Sequence, residues 1–178
     1  PDTGKVLWTY EHPDKYDIHA STPLYSDGMI YYVAGSKEGG GTLQLSDDGS
    51  EITPVWQDTE MDTFHGGVVL KEGYIYGTTH RSGREMMCLE FKTGKIVWRT
   101  SEISESALVY ADGMLYAYEG PQKGIVSLVK ATPDGFERTG QFAIEEGSAK
   151  HWAHPTIADG RLYIRRGEYL FAYDIAAK

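Results

Sequence analysis

Apolar residues in this chain recur in short alternating runs set off by turn pairs. Four times an acidic residue and a glycine precede an apolar run that carries tyrosine: Asp27-Gly28-Met29-Ile30-Tyr31, Glu72-Gly73-Tyr74-Ile75-Tyr76, Asp112-Gly113-Met114-Leu115-Tyr116 and Asp159-Gly160-Arg161-Leu162-Tyr163. An acidic residue followed by Gly, between alternating segments, supplies the positive φ angles of a tight hairpin, so each unit predicts two antiparallel strands. A second element recurs between these hairpins. Thr93-Gly94-Lys95-Ile96-Val97-Trp98 repeats Thr3-Gly4-Lys5-Val6-Leu7-Trp8, and looser copies run from Asp48-Gly49 to Trp56 and from Asp134-Gly135 to Phe142. Each copy predicts a turn and an outer strand ending in a large aromatic, placed to cover a seam between neighbouring sheets.

The four hairpin glycines lie 45, 40 and 47 residues apart. A period in this range built on strands implies an all-β propeller of four-stranded antiparallel blades. The units run roughly over residues 11–58, 59–100, 101–144 and 145–178 of a single domain. The last unit lacks an outer strand, and residues 1–10 are expected to complete it. Four blades are at the bottom of the range for a closed ring, so the chain is expected to be the C-terminal half of a ring of about seven or eight blades. The remaining half, or a second copy, is then a partner.

Composition agrees: the 178 residues include 21 glycines, 13 tyrosines and 4 tryptophans. A formal charge of −9 argues against nucleic acid and anionic membrane surfaces as partners. No apolar run is long enough to span a membrane as a helix. Basic residues concentrate only at Arg165-Arg166 and around His80-Arg81 to Arg84, and the carboxylates Asp58, Glu60, Asp62, Glu145 and Glu146 fall in connections expected to be solvated. The single cysteine, Cys88, excludes an internal disulfide and reads as a core thiol between Met87 and Leu89. Gly39-Gly40-Gly41 is expected to form a flexible hairpin tip.

The repeat element from Leu89 to Trp98, with its Thr-Gly-Lys and tryptophan positions, resembles the repeat of pyrroloquinoline-quinone-type (PQQ-like) β-propellers. Gly39-Gly40-Gly41, His65-Gly66-Gly67-Val68-Val69, His151-Trp152-Ala153-His154-Pro155 and Leu162 to Glu168 resemble secreted bacterial PQQ-like repeat proteins of poorly defined role. The resemblance implies an extracytoplasmic location, periplasmic or secreted. It also admits a quinoprotein dehydrogenase, in which the cofactor sits at the ring centre over a calcium ion. Many such alcohol dehydrogenases carry a vicinal cysteine pair, which this chain lacks, and the chain contains no asparagine to supply an amide ligand.

The histidines are the candidate chemistry. His19, His65, His151 and His154 all lie just before a strand that opens a blade. In a propeller that innermost strand lines the central channel, so His19 with Thr22, His65, and His151 with Trp152 and His154 are expected to form a ligand-binding channel face, to which Arg165 is added. The competing reading is that these side chains tie loops to neighbouring blades. His151 and His154 are three apart, on opposite faces of a strand, and no metal site is expected. No Gly-x-Ser-x-Gly elbow or phosphate-binding loop is found. Two functions fit the sequence. One is a non-catalytic extracytoplasmic binding or scaffolding propeller, without a cofactor, whose ligand is a protein or a glycan. The alternative is part of a PQQ- and calcium-dependent dehydrogenase of alcohols or sugars whose ligands lie largely outside this chain.

Overall fold

A computed structural model describes residues 3–13, 15–16, 18–120, 124–148 and 152–176. Fifteen strands form four antiparallel sheets in chain order. The first holds β1 (Leu24–Ser26), β2 (Met29–Ala34), β3 (Gly39–Leu45) and β4 (Ile52–Asp58). The second holds β5 (Val68–Lys71), β6 (Tyr74–Thr78), β7 (Met86–Glu90) and β8 (Ile96–Thr100). The third holds β9 (Ser106–Ala111), β10 (Met114–Glu119), β11 (Ile125–Lys130) and β12 (Arg138–Ala143). The fourth holds β13 (Thr156–Ala158), β14 (Arg161–Arg166) and β15 (Tyr169–Asp174). There is no helix among the described residues.

These sheets are propeller blades, and the hairpin turns predicted from sequence set their geometry. Both central residues of each turn have positive φ, for example 50° at Asp27 and 75° at Gly28, the backbone of the tight primed turn. Each turn glycine then accepts a hydrogen bond from the last residue of the third strand of its sheet or the residue that follows it: Leu45 to Gly28, Phe91 to Gly73, Ala131 to Gly113 and Ile175 to Gly160. The inner strands β1, β5, β9 and β13 adjoin in that order around an axis, while β1 and β13 do not touch, so the four blades form an open arc.

The core lies between blades. Tyr31 and Val33 pack with Met61, Ile75 and Met87 at the first seam; Tyr76, Cys88, Leu108 and Leu115 at the second; Tyr118, Val126, Leu162 and Ile164 at the third. The second and third blades therefore each bury two apolar faces, one against each neighbour.

Two expectations change. Gly39-Gly40-Gly41 is not a flexible tip but the start of β3, fully buried. A Cβ on Gly39 would lie 1.9 Å from the Asp58 carbonyl, so β4 approaches only because the side chain is missing. Residues 3–10 do not pair with β15; they lie against the first sheet, where the Trp8 indole donates to the Gly49 carbonyl at 3.1 Å. That contact fits an outer strand seated on the following blade, because Trp56 and Trp98 make the same bond to the blades that follow them.

Candidate functional site

Three blades bring side chains together where their connections enter the inner strands. His65 precedes β5, Glu105 immediately precedes β9, and Trp152 and His154 precede β13. His65, Glu105 and Trp152 each stand eight residues before the turn glycine of their own blade, and equivalent positions of stacked repeats face the same way. Glu105 is the centre of the cluster and is only 8% exposed. One carboxylate oxygen lies 3.3 Å from His65 Nδ1 and the other 2.9 Å from His80 Nδ1. Neither ring N–H lines up for a hydrogen bond, so these are close contacts that become ion pairs only when the rings are protonated. Phe64 stacks on His80, with ring centres 4.7 Å apart.

Trp152 lies 5.6 Å from His65 and remains 52% exposed. His154 Nε2 is 2.7 Å from the His65 carbonyl, which only accepts, so Nε2 carries the proton and donates. His154 reaches this carbonyl over Gly67, where φ is 67° and a Cβ would stand 2.8 Å from the imidazole. Glycine is required there on both counts.

The loop carrying His80 is fixed by Asp62, which is fully buried and accepts hydrogen bonds from the backbone N–H groups of Lys37, His80, Arg81 and Ser82. Asp62 is therefore not the solvated loop carboxylate expected from sequence; four amides replace its water. Behind Glu105, Thr78 Oγ1 donates to the Ser106 carbonyl at 3.0 Å and accepts from the Ser106 N–H at 2.9 Å, joining β6 to β9.

Burial holds the His65 imidazole below its ordinary value, opposed by the Glu105 charge and assisted by His80 and His154. The cluster therefore offers a recessed carboxylate in contact with two imidazoles, beneath an exposed indole. Hydroxyl nucleophiles are not poised beside it, since Ser104 Oγ pairs with Glu119 and Ser106 Oγ donates to the Ser104 carbonyl.

Of the other residues singled out from sequence, His19 is 6.0 Å from His12 beside the first blade. Thr22 is exposed before β1, and Arg165 is exposed on β14 opposite Leu170. His151 lies outside the described residues. Glu105 and His80 were not among the expected site residues. Among the described residues no group of three or more His, Cys, Asp or Glu side chains is arranged to hold a metal ion. Both Glu105 oxygens are in contact with imidazole nitrogens.

The family model described as outer membrane protein assembly factor BamB (PQQ_2) matches residues 47–135. No curated protein sequence matches the chain. Among solved structures the chain is similar to BamB from Moraxella catarrhalis, with a TM-score of 0.59 and 10% identity over 85% of this chain and 41% of that one. It is similar to quinohemoprotein alcohol dehydrogenase from Comamonas testosteroni, with a TM-score of 0.58 and 18% identity over 81% of this chain and 28% of that one. It is also similar to Myxococcus xanthus glutaminyl cyclase, with a TM-score of 0.56 and 19% identity over 93% of this chain and 70% of that one. At these identities the likeness is one of fold. The chain spans less than half the length of BamB and of the dehydrogenase.

Proposed function

We propose, from the premise that this chain belongs to the PQQ_2 family of β-propeller repeats described as outer membrane protein assembly factor BamB, that it is a non-catalytic extracytoplasmic binding or scaffolding propeller. Its ligand, a protein or a glycan, meets the mouth of the channel at His65, Trp152 and His154. The observation that carries this reading is the half-exposed Trp152 beside His65 and His154. A large aromatic with a polar edge, set over a rigid polar floor, is the kind of anchor on which recognition energy concentrates. The blades supply rigidity and the connections supply the contacts. The alternative, part of a dehydrogenase of alcohols or sugars, would hold its quinone and calcium largely through ligands outside this chain. An extracytoplasmic site is in keeping with the family; no helix among the described residues is long and apolar enough to cross a membrane.

The test is a photo-reactive amino acid placed at position 152 in the producing cell, with the same group at exposed Lys92 as control. The proposal expects adducts at position 152, absent at position 92, recovered from the extracytoplasmic fraction. Identical patterns at the two positions, or cytoplasmic adducts only, would contradict it.

A further inference from the structure

Between residues 8–13 and the first blade lie two adjoining cavities, away from the channel-mouth cluster. One, of ≈ 310 Å³, is lined by Glu11, His12, Tyr32, Glu38, Gln57 and Asp58, with Pro13, Gly40 and Thr59. The other, of ≈ 290 Å³, is more apolar, with Trp8, Tyr10, Pro23, Ile30 and Leu43 in its wall. His12 and Tyr32 line both, their rings edge-on with centres 4.7 Å apart.

The charges of the first cavity are unbalanced. Among the described residues three that line it bear carboxyl groups, and no lysine or arginine does so. Glu11 and Glu38 have no ion-pair partner among the described residues. Asp58 accepts from the N–H groups of Glu60 and Met61 through one oxygen, while its other oxygen is buried without a hydrogen-bond partner. A buried acceptor left unmet is costly, and that cost is recovered when a donor arrives. The rim is preorganised: Gln57 Nε2 donates to the hydroxyls of Tyr10 and Tyr32, and Tyr32 donates to Tyr10 at 3.2 Å. Aromatic walls add attraction for a cation over that for a neutral group.

We propose that this cavity binds the cationic head of an arginine or lysine side chain on a basic peptide segment, with the second cavity taking the adjacent apolar residue. A neutral sugar would leave the carboxylates uncompensated and is the weaker fit. The proposal does not rest on the channel-mouth reading, since none of His65, His80, Glu105 or Trp152 lines either cavity.

The test titrates the intact protein with acetyl-arginine methylamide and with its uncharged citrulline counterpart, following the His12 imidazole resonances. Saturable shifts are expected with the arginine probe, with affinity for citrulline weaker by about tenfold or more. Asp58→Asn keeps an oxygen for the Glu60 and Met61 amides and is expected to weaken the arginine probe. Glu38→Gln, at a half-buried side chain outside the core, is expected to do the same and stands in if the Asp58 variant fails to fold. Equal affinity for the two probes, no saturable shift, or arginine binding unchanged in Glu38→Gln would each overturn the proposal.

Discussion

The Trp56 indole N–H donates to the Phe91 carbonyl at 2.9 Å, joining the outer strand of the first blade to the turn region of the second. The ring lies against Gly94, where φ is 71° and a Cβ would be 2.5 Å from the indole. Trp98 repeats the bond to the Thr132 carbonyl at 3.0 Å, and Trp8 makes it to Gly49. At the third seam Phe142 packs on Tyr173, with ring centres 4.8 Å apart. The periodic aromatics are thus clasps between consecutive blades, apolar across the ring and hydrogen-bonded at its edge.

Trp56→Phe keeps an aromatic ring but loses the N–H donor and part of the indole's area, so it is expected to cost about 1–3 kcal/mol. Trp56→Ala opens the seam and is expected to cost about 3–5 kcal/mol. Urea unfolding of the two variants checks the ratio; equal losses would mean that the hydrogen bond carries the clasp.

Asp62→Ala leaves four backbone donors without their acceptor and is expected to cost about 3 kcal/mol or more. It should also release the loop bearing His80 from Glu105, which hydrogen exchange at residues 79–85 would report.

The folded pKa of His65 is lowered, chiefly by burial. In the unfolded chain the ring titrates near about 6.5. Between these values the unfolded state holds the extra proton, so stability falls as pH falls. The contribution is whole above the unfolded value and is lost as pH drops below it toward the folded one. His65→Gln is therefore expected to flatten the dependence of the unfolding midpoint on pH between about pH 7 and pH 5. An unchanged slope would exclude His65 as its source.

Burial pushes the Cys88 thiol up to about 12, and the side chain is fully covered at the second seam. Since the thiolate is the reactive form, a thiol reagent at pH 8 should label Cys88 only at the rate of unfolding. Rapid labelling of the native protein would show that the seam between the second and third blades opens on its own.

The fold was legible because its determinants are local. Asp27-Gly28 and its three copies fix the turn and, through it, the register of the paired strands. His65, Trp152 and His154 were legible as a group because each precedes an inner strand, and the structure brings those three together. Glu105 has the same place in its repeat as His65, and counting back from Gly113 would have found it. His80 was not accessible in this way: it comes from the β6–β7 connection, and only the amide nest around Asp62 aims it at Glu105. The burial of Asp62 escaped for the same reason, since a carboxylate satisfied by backbone from two distant stretches, Lys37 and residues 80–82, has no local sign. Gly39-Gly40-Gly41 looked like slack in the chain because glycine serves both a flexible tip and a close strand approach.

A titration of the protein with pyrroloquinoline quinone, with and without calcium, followed by tryptophan quenching and the absorption spectrum of the quinone, separates the binding propeller from the dehydrogenase. No saturable, calcium-dependent binding is expected of a binding propeller whose channel-mouth carboxylate, Glu105, is recessed and in contact with His65 and His80. Saturable binding that requires calcium would contradict the non-catalytic reading and restore the dehydrogenase.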